Sequence, residues 1–341
     1  MDQPASDAVL PQWHSLPIAT ACTGLLLGNG ASRAIWRNFG YDSLFERAQK
    51  VRNRPLGQSD LALFKHLNTE NFERVLSGLN TTVRINAALA ISSTAPLNRY
   101  YAIKEALIHA VRSVHIPWAL VSTATLTQIN KALRQYQNVY SSNYDLLCHW
   151  AMLHAPEGFD DLMNDEGEYD PQPGLPADTR LLYLHGGLHL IKHADGSTRR
   201  RLATDSALLD GFAINTPGDV PLFVAEGSSS DKLRSIRESA YLSDCQRRLS
   251  EHHGPLCLFG HNLNAQDQHL IDSLLTAGIE RIAIAIFPLS DAWIISQKRH
   301  YHALFSESAT VLEFFDATSH PLGGPELNVP VIKEAQQRTR R

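Results

Sequence analysis

Short apolar runs recur along the chain, most of them beside a stretch of helical spacing. The first, Thr23-Gly24-Leu25-Leu26-Leu27, runs into Gly28-Asn29-Gly30-Ala31-Ser32 and then Arg33-Ala34-Ile35-Trp36. That order reads as strand, tight turn and helix. Ser43 is placed to cap a second helix, with Glu46 positioned for a capping box. Residues 57–134 change character. Leu61, Leu63, Phe64 and Leu67, then Phe72, Val75, Leu76 and Leu79, repeat at helical spacing, and Leu107, Ile108 and Val111 do so after a break around Pro96. The stretch predicts a helical insertion of about five helices with no strand.

Sheet patterning resumes at Asn138-Val139-Tyr140-Ser141, followed by Asn143-Tyr144-Asp145 and a helix through Trp150. Residues 156–178 carry Glu157, Asp160, Asp161, Asp165, Glu166, Glu168, Asp170 and Asp178 with no Lys or Arg. No compact calcium-loop spacing is present, so this segment predicts an exposed acidic loop. Leu181-Leu182-Tyr183-Leu184 is a buried-strand run ending at His185-Gly186-Gly187, and Asp195-Gly196 marks a hairpin between 188–192 and 198–202. Leu222-Phe223-Val224, Leu256-Cys257-Leu258-Phe259, Ile282-Ala283-Ile284-Ala285-Ile286 and Val311-Leu312-Glu313-Phe314-Phe315 complete the set. Strands alternating with helices mean an α/β chain with a mostly parallel sheet.

Composition narrows the function. The chain has 341 residues, 43% hydrophobic and 19% charged, enough to bury a real core. A net charge of -4 makes nucleic-acid phosphates a poor partner, so no direct nucleic-acid binding is expected. No apolar run approaches a membrane span, and the first residues show no basic stretch followed by an apolar one. Cys22, Cys148, Cys245 and Cys257 are scattered and never paired at metal spacing. They read as reduced thiols of a cytoplasmic protein.

Four junctions hold residue types that carry chemistry. Gly28-Asn29-Gly30 between strand and helix lets backbone approach a phosphate, or is simply a turn that needs small residues. Arg33 stands where a dinucleotide fingerprint has its third glycine. Asn143 follows a strand end, where its amide can orient water or a ribose hydroxyl; equally, Asn143 or Asp145 can cap the next helix. His185 ends an apolar strand beside two glycines and can act as a base near neutral pH, or be a buried histidine bonded to backbone. His185, His189 and His193 have the four-residue spacing of ligands on a helix, but the pattern there is strand, so no metal is expected. Gly260-His261-Asn262-Leu263-Asn264 is a second strand-glycine-helix junction, or an Asn-rich turn and cap.

Taken in order, the Gly-Asn-Gly-Ala-Ser turn, Ser-Ser-Asn-Tyr-Asp, Leu-His-Gly and Phe-Gly-His-Asn-Leu resemble the sirtuin-like fold over roughly residues 23 to 315. The Asn-Tyr-Asp form looks most like the bacterial sirtuin-like NAD hydrolases of anti-phage defence. Sirtuin deacylases carry two Cys-x-x-Cys zinc pairs after the His-Gly motif; here the 188–202 hairpin occupies that place without a cysteine. Their Gly-Ile-Pro-Asp-Phe-Arg segment is absent too, and Asn38-Phe39-Gly40-Tyr41-Asp42 lies near its position. The resemblance implies a Rossmann-like mostly parallel sheet with a helical insertion. The catalytic domain would be discontinuous, 20–56 and 135–320, around the insertion 57–134, with flexible ends 1–19 and 321–341. It implies NAD as the substrate, cleaved to nicotinamide and ADP-ribose. Asn143 would position water or a ribose hydroxyl and His185 would be the base. Gly28, Asn29, Gly30 and Ser32 would hold the diphosphate, Asp145 would order the site, and Gly260, His261 and Leu263 would border the adenosine. Alternatives are a deacylase or ADP-ribosyltransferase, and a nucleotide sensor that binds without turnover. A hydrolase of this kind needs control, through a homo-oligomer or a separate activator protein.

Overall fold

The computed structural model describes residues 7–39, 44–52, 54–172, 177–193, 196–201, 220–224 and 229–330. Ser43, Gly40-Tyr41-Asp42 and Asp195, singled out above, lie outside the described residues. Among the described residues there are ten strands: β1 (Gly24–Leu27), β2 (Asn138–Ser141), β3 (Phe159–Asp160), β4 (Thr179–Tyr183), β5 (Gly186–Lys192), β6 (Thr198–Arg200), β7 (Val220–Phe223), β8 (Leu256–Phe259), β9 (Arg281–Ile286) and β10 (Val311–Asp316). Seven form one sheet in the order β10-β9-β8-β1-β2-β4-β3, with every pair parallel. The fold is therefore α/β with a Rossmann-like parallel sheet.

β1 lies at the centre, with Leu25 opposite Val139 on one side and Cys257 on the other. All its residues are buried, as are those of β8, which explains why both read as unbroken apolar runs rather than alternating ones. From β1 the chain builds outward through β2 and β4, then returns to β8 and builds the other way. The direction reverses between β1 and β8. In open α/β sheets the crevice beyond the carboxyl ends of such strands is where ligands bind.

Between β1 and β2 lie α1 (Asn29–Ile35), α2 (Leu44–Lys50), α3 (Gln58–His66), α4 (Phe72–Ala88), α5 (Thr94–Val114) and α6 (Thr123–Leu133). Residues 57–134 thus hold four α-helices and a short 3-10 turn, Trp118–Leu120, rather than five helices. Pro96 does not break a helix. It sits in the first turn of α5, where its missing N–H has no partner to lose, and the interruption falls just before it. α6 leads into β2 and packs on α7 (Leu147–His154), where Asn130 Nδ2 donates to the carbonyls of Ala151 (2.7 Å) and Ala155 (3.0 Å). The second half adds α8 (Ser229–Arg237), α9 (Ala240–Ser250), α10 (Gln268–Ala277) and α11 (Asp291–Leu304).

Three further expectations change. The run at 222–224 does not join the parallel sheet: β7 pairs antiparallel with β5, which also pairs with β6, as a separate three-stranded sheet. The described parts of the two ends are packed. Trp13 lies on Phe315 with ring centroids 4.6 Å apart, Ile18 is fully buried, and Val329 N–H donates to Ile35 O at 2.8 Å. The acidic segment is not simply solvated. It forms the edge strand β3, and Asp161 is buried in an ion pair with Arg200 at 2.7 Å. Local composition hid the partner, because the cation comes from β6 across the fold. Burial pushes the Asp161 carboxyl up, and Arg200 offsets only part of that rise. Replacing Asp161 by Asn leaves Arg200 without its counter-charge. We expect a loss of about 3 kcal/mol in urea unfolding, against near-neutral effects for Glu157→Gln in the same segment. Equal small effects for both would mean the pair contributes nothing.

Candidate functional site

The turns after β1 and β8 meet backbone to backbone. Gly28 N–H donates to Phe259 O (3.0 Å) and Gly30 N–H to Gly260 O (2.7 Å). A Cβ on Gly30 would stand 2.7 Å from Gly260 Cα, and one on Gly260 would stand 2.3 Å from Ala31 N. Gly260 also has φ +71°, a conformation side chains disfavour. The glycines of both motifs are thus required first by each other. Ala31 N–H is also spent, on Gly28 O at 2.9 Å, so the turn keeps fewer free donors for a phosphate than the sequence suggested.

Asn143 ties this junction to β2. Its Nδ2 donates to Gly28 O (3.0 Å) and to Ser32 Oγ (2.9 Å). The Gly28 carbonyl can only accept, which fixes the amide orientation and leaves Oδ1 as the group Asn143 offers. Ser32 in turn donates to Asp145 Oδ2 (2.5 Å), and Asp145 Oδ1 accepts from Leu147 N–H (2.9 Å) at the start of α7. The hydroxyl of Ser32 is therefore committed within the protein rather than offered to a diphosphate. Asp145 thus braces the entry to the helix, whose N-cap is Leu146, and Asn143 does not cap it. His115, which the sequence gave no reason to single out, braces the same loop: its Nε2 accepts from Leu146 N–H (3.0 Å), so its Nδ1 carries the proton and donates to Ile116 O (2.8 Å).

A cleft of about 450 Å³ opens beside these turns, a size that suits a small-molecule ligand. Of the residues expected at a site, Asn29, Gly30, Asn143, Asp145, His185, Gly260 and His261 line it. Gly28, Ser32 and Leu263 do not; they lie behind its wall. Leu263, fully buried at φ +46°, holds the second turn in shape, with its N–H on His261 Nδ1 at 3.0 Å. Leu44, at the start of α2, and Glu70, in the helical stretch, also reach the cleft, and Phe287 and Trp293 face it from the β9 side.

His185 enters from the junction of β4 and β5. Its Nε2 lies 2.8 Å from Nε2 of His269, on α10, whose Nδ1 is 3.3 Å from Ser229 Oγ. Beside the pair, Lys232 Nζ donates to Asp267 Oδ1 at 2.7 Å, and His261 Nε2 is 3.8 Å from Asp267 Oδ2. None of Ser229, Lys232, Asp267 and His269 had a sequence signal, because each sits inside or beside an ordinary amphipathic helix. His185, His189 and His193 do not form a unit. His189 is fully buried and stacks on His149 with centroids 4.2 Å apart. Four strand residues span roughly 13 Å, too far for one ion.

Burial makes these imidazoles neutral. It holds His185 well below the usual histidine range, helped by Lys232 and His269, and brings His269 down to about 4. His252 is pushed to about 4, and His149 and His320 to about 3, by the same cause. Depressed folded-state values mean that stability is complete above the unfolded-state value of about 6.5 and is lost as pH falls toward 4. We expect the urea midpoint to drop steadily from pH 7 to pH 5, before most carboxylates titrate. A midpoint flat across that window contradicts it.

The glycine contact makes a second prediction. Gly30→Ala and Gly260→Ala should each cost about 1–3 kcal/mol through overpacking, with Gly260→Ala the worse because of its positive φ. Thermal unfolding reads this directly, and unchanged melting of either variant would show that the turns can part.

No curated protein matches the chain. A family model does, over residues 25–322, a span that takes in all but the first residue of β1, both glycine turns, Asn143, His185 and the helical stretch. The chain belongs to the DUF4917 family, a domain of unknown function.

Proposed function

We propose that the protein cleaves the bond between nicotinamide and ribose in NAD. One observation carries the reading: seven positions picked from motif order alone, Asn29, Gly30, Asn143, Asp145, His185, Gly260 and His261, line a single cleft at the carboxyl ends of parallel strands. In this reading the C–N bond breaks with its electron pair leaving on nicotinamide. Positive charge develops at the ribose carbon, water adds there, and one proton must be removed. Asn143 offers only an acceptor, Oδ1, which suits holding a ribose hydroxyl or that water. His185, neutral at rest, takes the proton. The amides of Asn29, Asn262, Asn264 and Gln297 in the lining supply donors to the rest of the nucleotide in place of the spent backbone N–H groups. Such an enzyme depletes a cell of NAD, so the reading includes control by oligomerisation or a separate activator, as in a bacterial anti-phage effector.

The test is nicotinamide release from NAD by the purified protein, alone and with proteins encoded beside it. His185→Ala should lower turnover about a hundredfold or more and leave NAD affinity nearly unchanged. Asn143→Ala should abolish turnover too, but with a stability loss of about 1–3 kcal/mol, because it strands Gly28 O and Ser32 Oγ. NAD binding with no release under any condition would favour a nucleotide sensor using the same cleft. No binding at all would end the reading.

A further inference from the structure

Two histidines and an aspartate converge on one wall of the cleft from three elements. Donor atoms of His185, Asp267 and His269 all lie within 4.8 Å of one another, and all three residues are buried. We propose that they form a site for a divalent transition-metal ion of the zinc class, with one coordination position open to the cleft. It is unrelated to the cysteine pairs of deacylases. The proposal goes beyond the NAD reading and does not rest on it.

The donor set comes first. Two imidazoles and one carboxylate suit Zn²⁺, Co²⁺ or Fe²⁺ and not Mg²⁺ or Ca²⁺, which take oxygen ligands. The geometry is close to what such an ion needs. The Nε2 atoms of His185 and His269 face each other at 2.8 Å. On a tetrahedral ion at about 2.0 Å from each, they would stand roughly 3.3 Å apart, so the rings need part by only about half an ångström.

The surroundings are those of a supported ligand set. The Nδ1 of His269 lies 3.3 Å from Ser229 Oγ, leaving Nε2 as the ligand atom. Lys232 holds Oδ1 of Asp267 at 2.7 Å and leaves Oδ2 for the ion. His261 does not join: its Nδ1 accepts from Leu263 N–H at 3.0 Å, so its Nε2 carries the proton. Three protein ligands plus an open position is the pattern of a reactive rather than a purely structural site. His185 and Asp267 both line the cleft, so the open position faces the cavity where water or a ligand oxygen enters. An ion held by both Nε2 atoms displaces the proton that one of them must carry for His185 to meet His269. Metal loading therefore changes what His185 can do for any ligand in the cleft.

The test needs no nucleotide. Full-length protein is stripped with chelator and titrated with Co²⁺, read by visible absorption, and with Zn²⁺, read by calorimetry and elemental analysis. We expect one ion per chain, with His269→Ala and the near-isosteric Asp267→Asn each weakening binding at least tenfold. His193→Ala, away from the cluster, should bind as wild type. Hyperfine-shifted ring protons from two histidines are expected in the Co²⁺ protein, which keeps the test decisive should a variant fail to fold. No binding by the stripped wild type, unchanged binding in Asp267→Asn, or bound Co²⁺ without histidine signals would each overturn the proposal.

Discussion

Gly30 and Gly260 come from strands that are neighbours in space and more than half the chain apart in sequence, and their turns touch with no side chain between them. Much of the candidate site depends on that contact. It sets the separation of the turns after β1 and β8 and so fixes one side of the cleft. It also presents Gly28 O to Asn143, which passes the constraint through Ser32 and Asp145 to the start of α7. A buried relay of this kind has little slack, because every member that loses its partner keeps the desolvation cost. The site is therefore held by hydrogen bonds committed inside the protein, and what it offers a ligand is the remainder: one amide oxygen, several lining amides and a neutral imidazole.

The second half of the site follows a different logic. The residues around His185 are titratable and tightly packed. Lys232 and Asp267 neutralise each other, and burial keeps His185 and His269 uncharged. Neutral imidazole is the form that serves either as a base or as a metal ligand. The small antiparallel sheet of β5, β6 and β7 helps hold this arrangement, since Val224 N–H bonds to His185 O at 2.7 Å. The three-stranded sheet thus buttresses the cleft itself.

Helices of residues 57–134 are more than an appendage. His115, just past the end of α5, braces the Asn143–Asp145 loop, and Phe39 packs edge-on against its ring at 5.4 Å. Glu70, between α3 and α4, reaches the cleft. Any event that shifts these helices is felt at the site through named contacts.

The sequence by itself determined the sheet. Unbroken apolar runs such as 24–27 and 256–259 read as strands buried on both faces, and the glycine after each marks the end where ligands gather. Those are local properties, written in a few adjacent residues. The sequence did not determine which side chains meet. Pairing His185 with His269, Asp161 with Arg200 and Asn143 with Gly28 depends on strand order and on how the helices pack, and each pair spans 39 to 115 residues. For the same reason it over-read Ser32 and Gly28 as ligand contacts. A hydroxyl or a glycine beside a turn has the same local pattern whether it faces a ligand or the protein. Only the tertiary structure, by spending those groups on Asp145 and on the second turn, decided which.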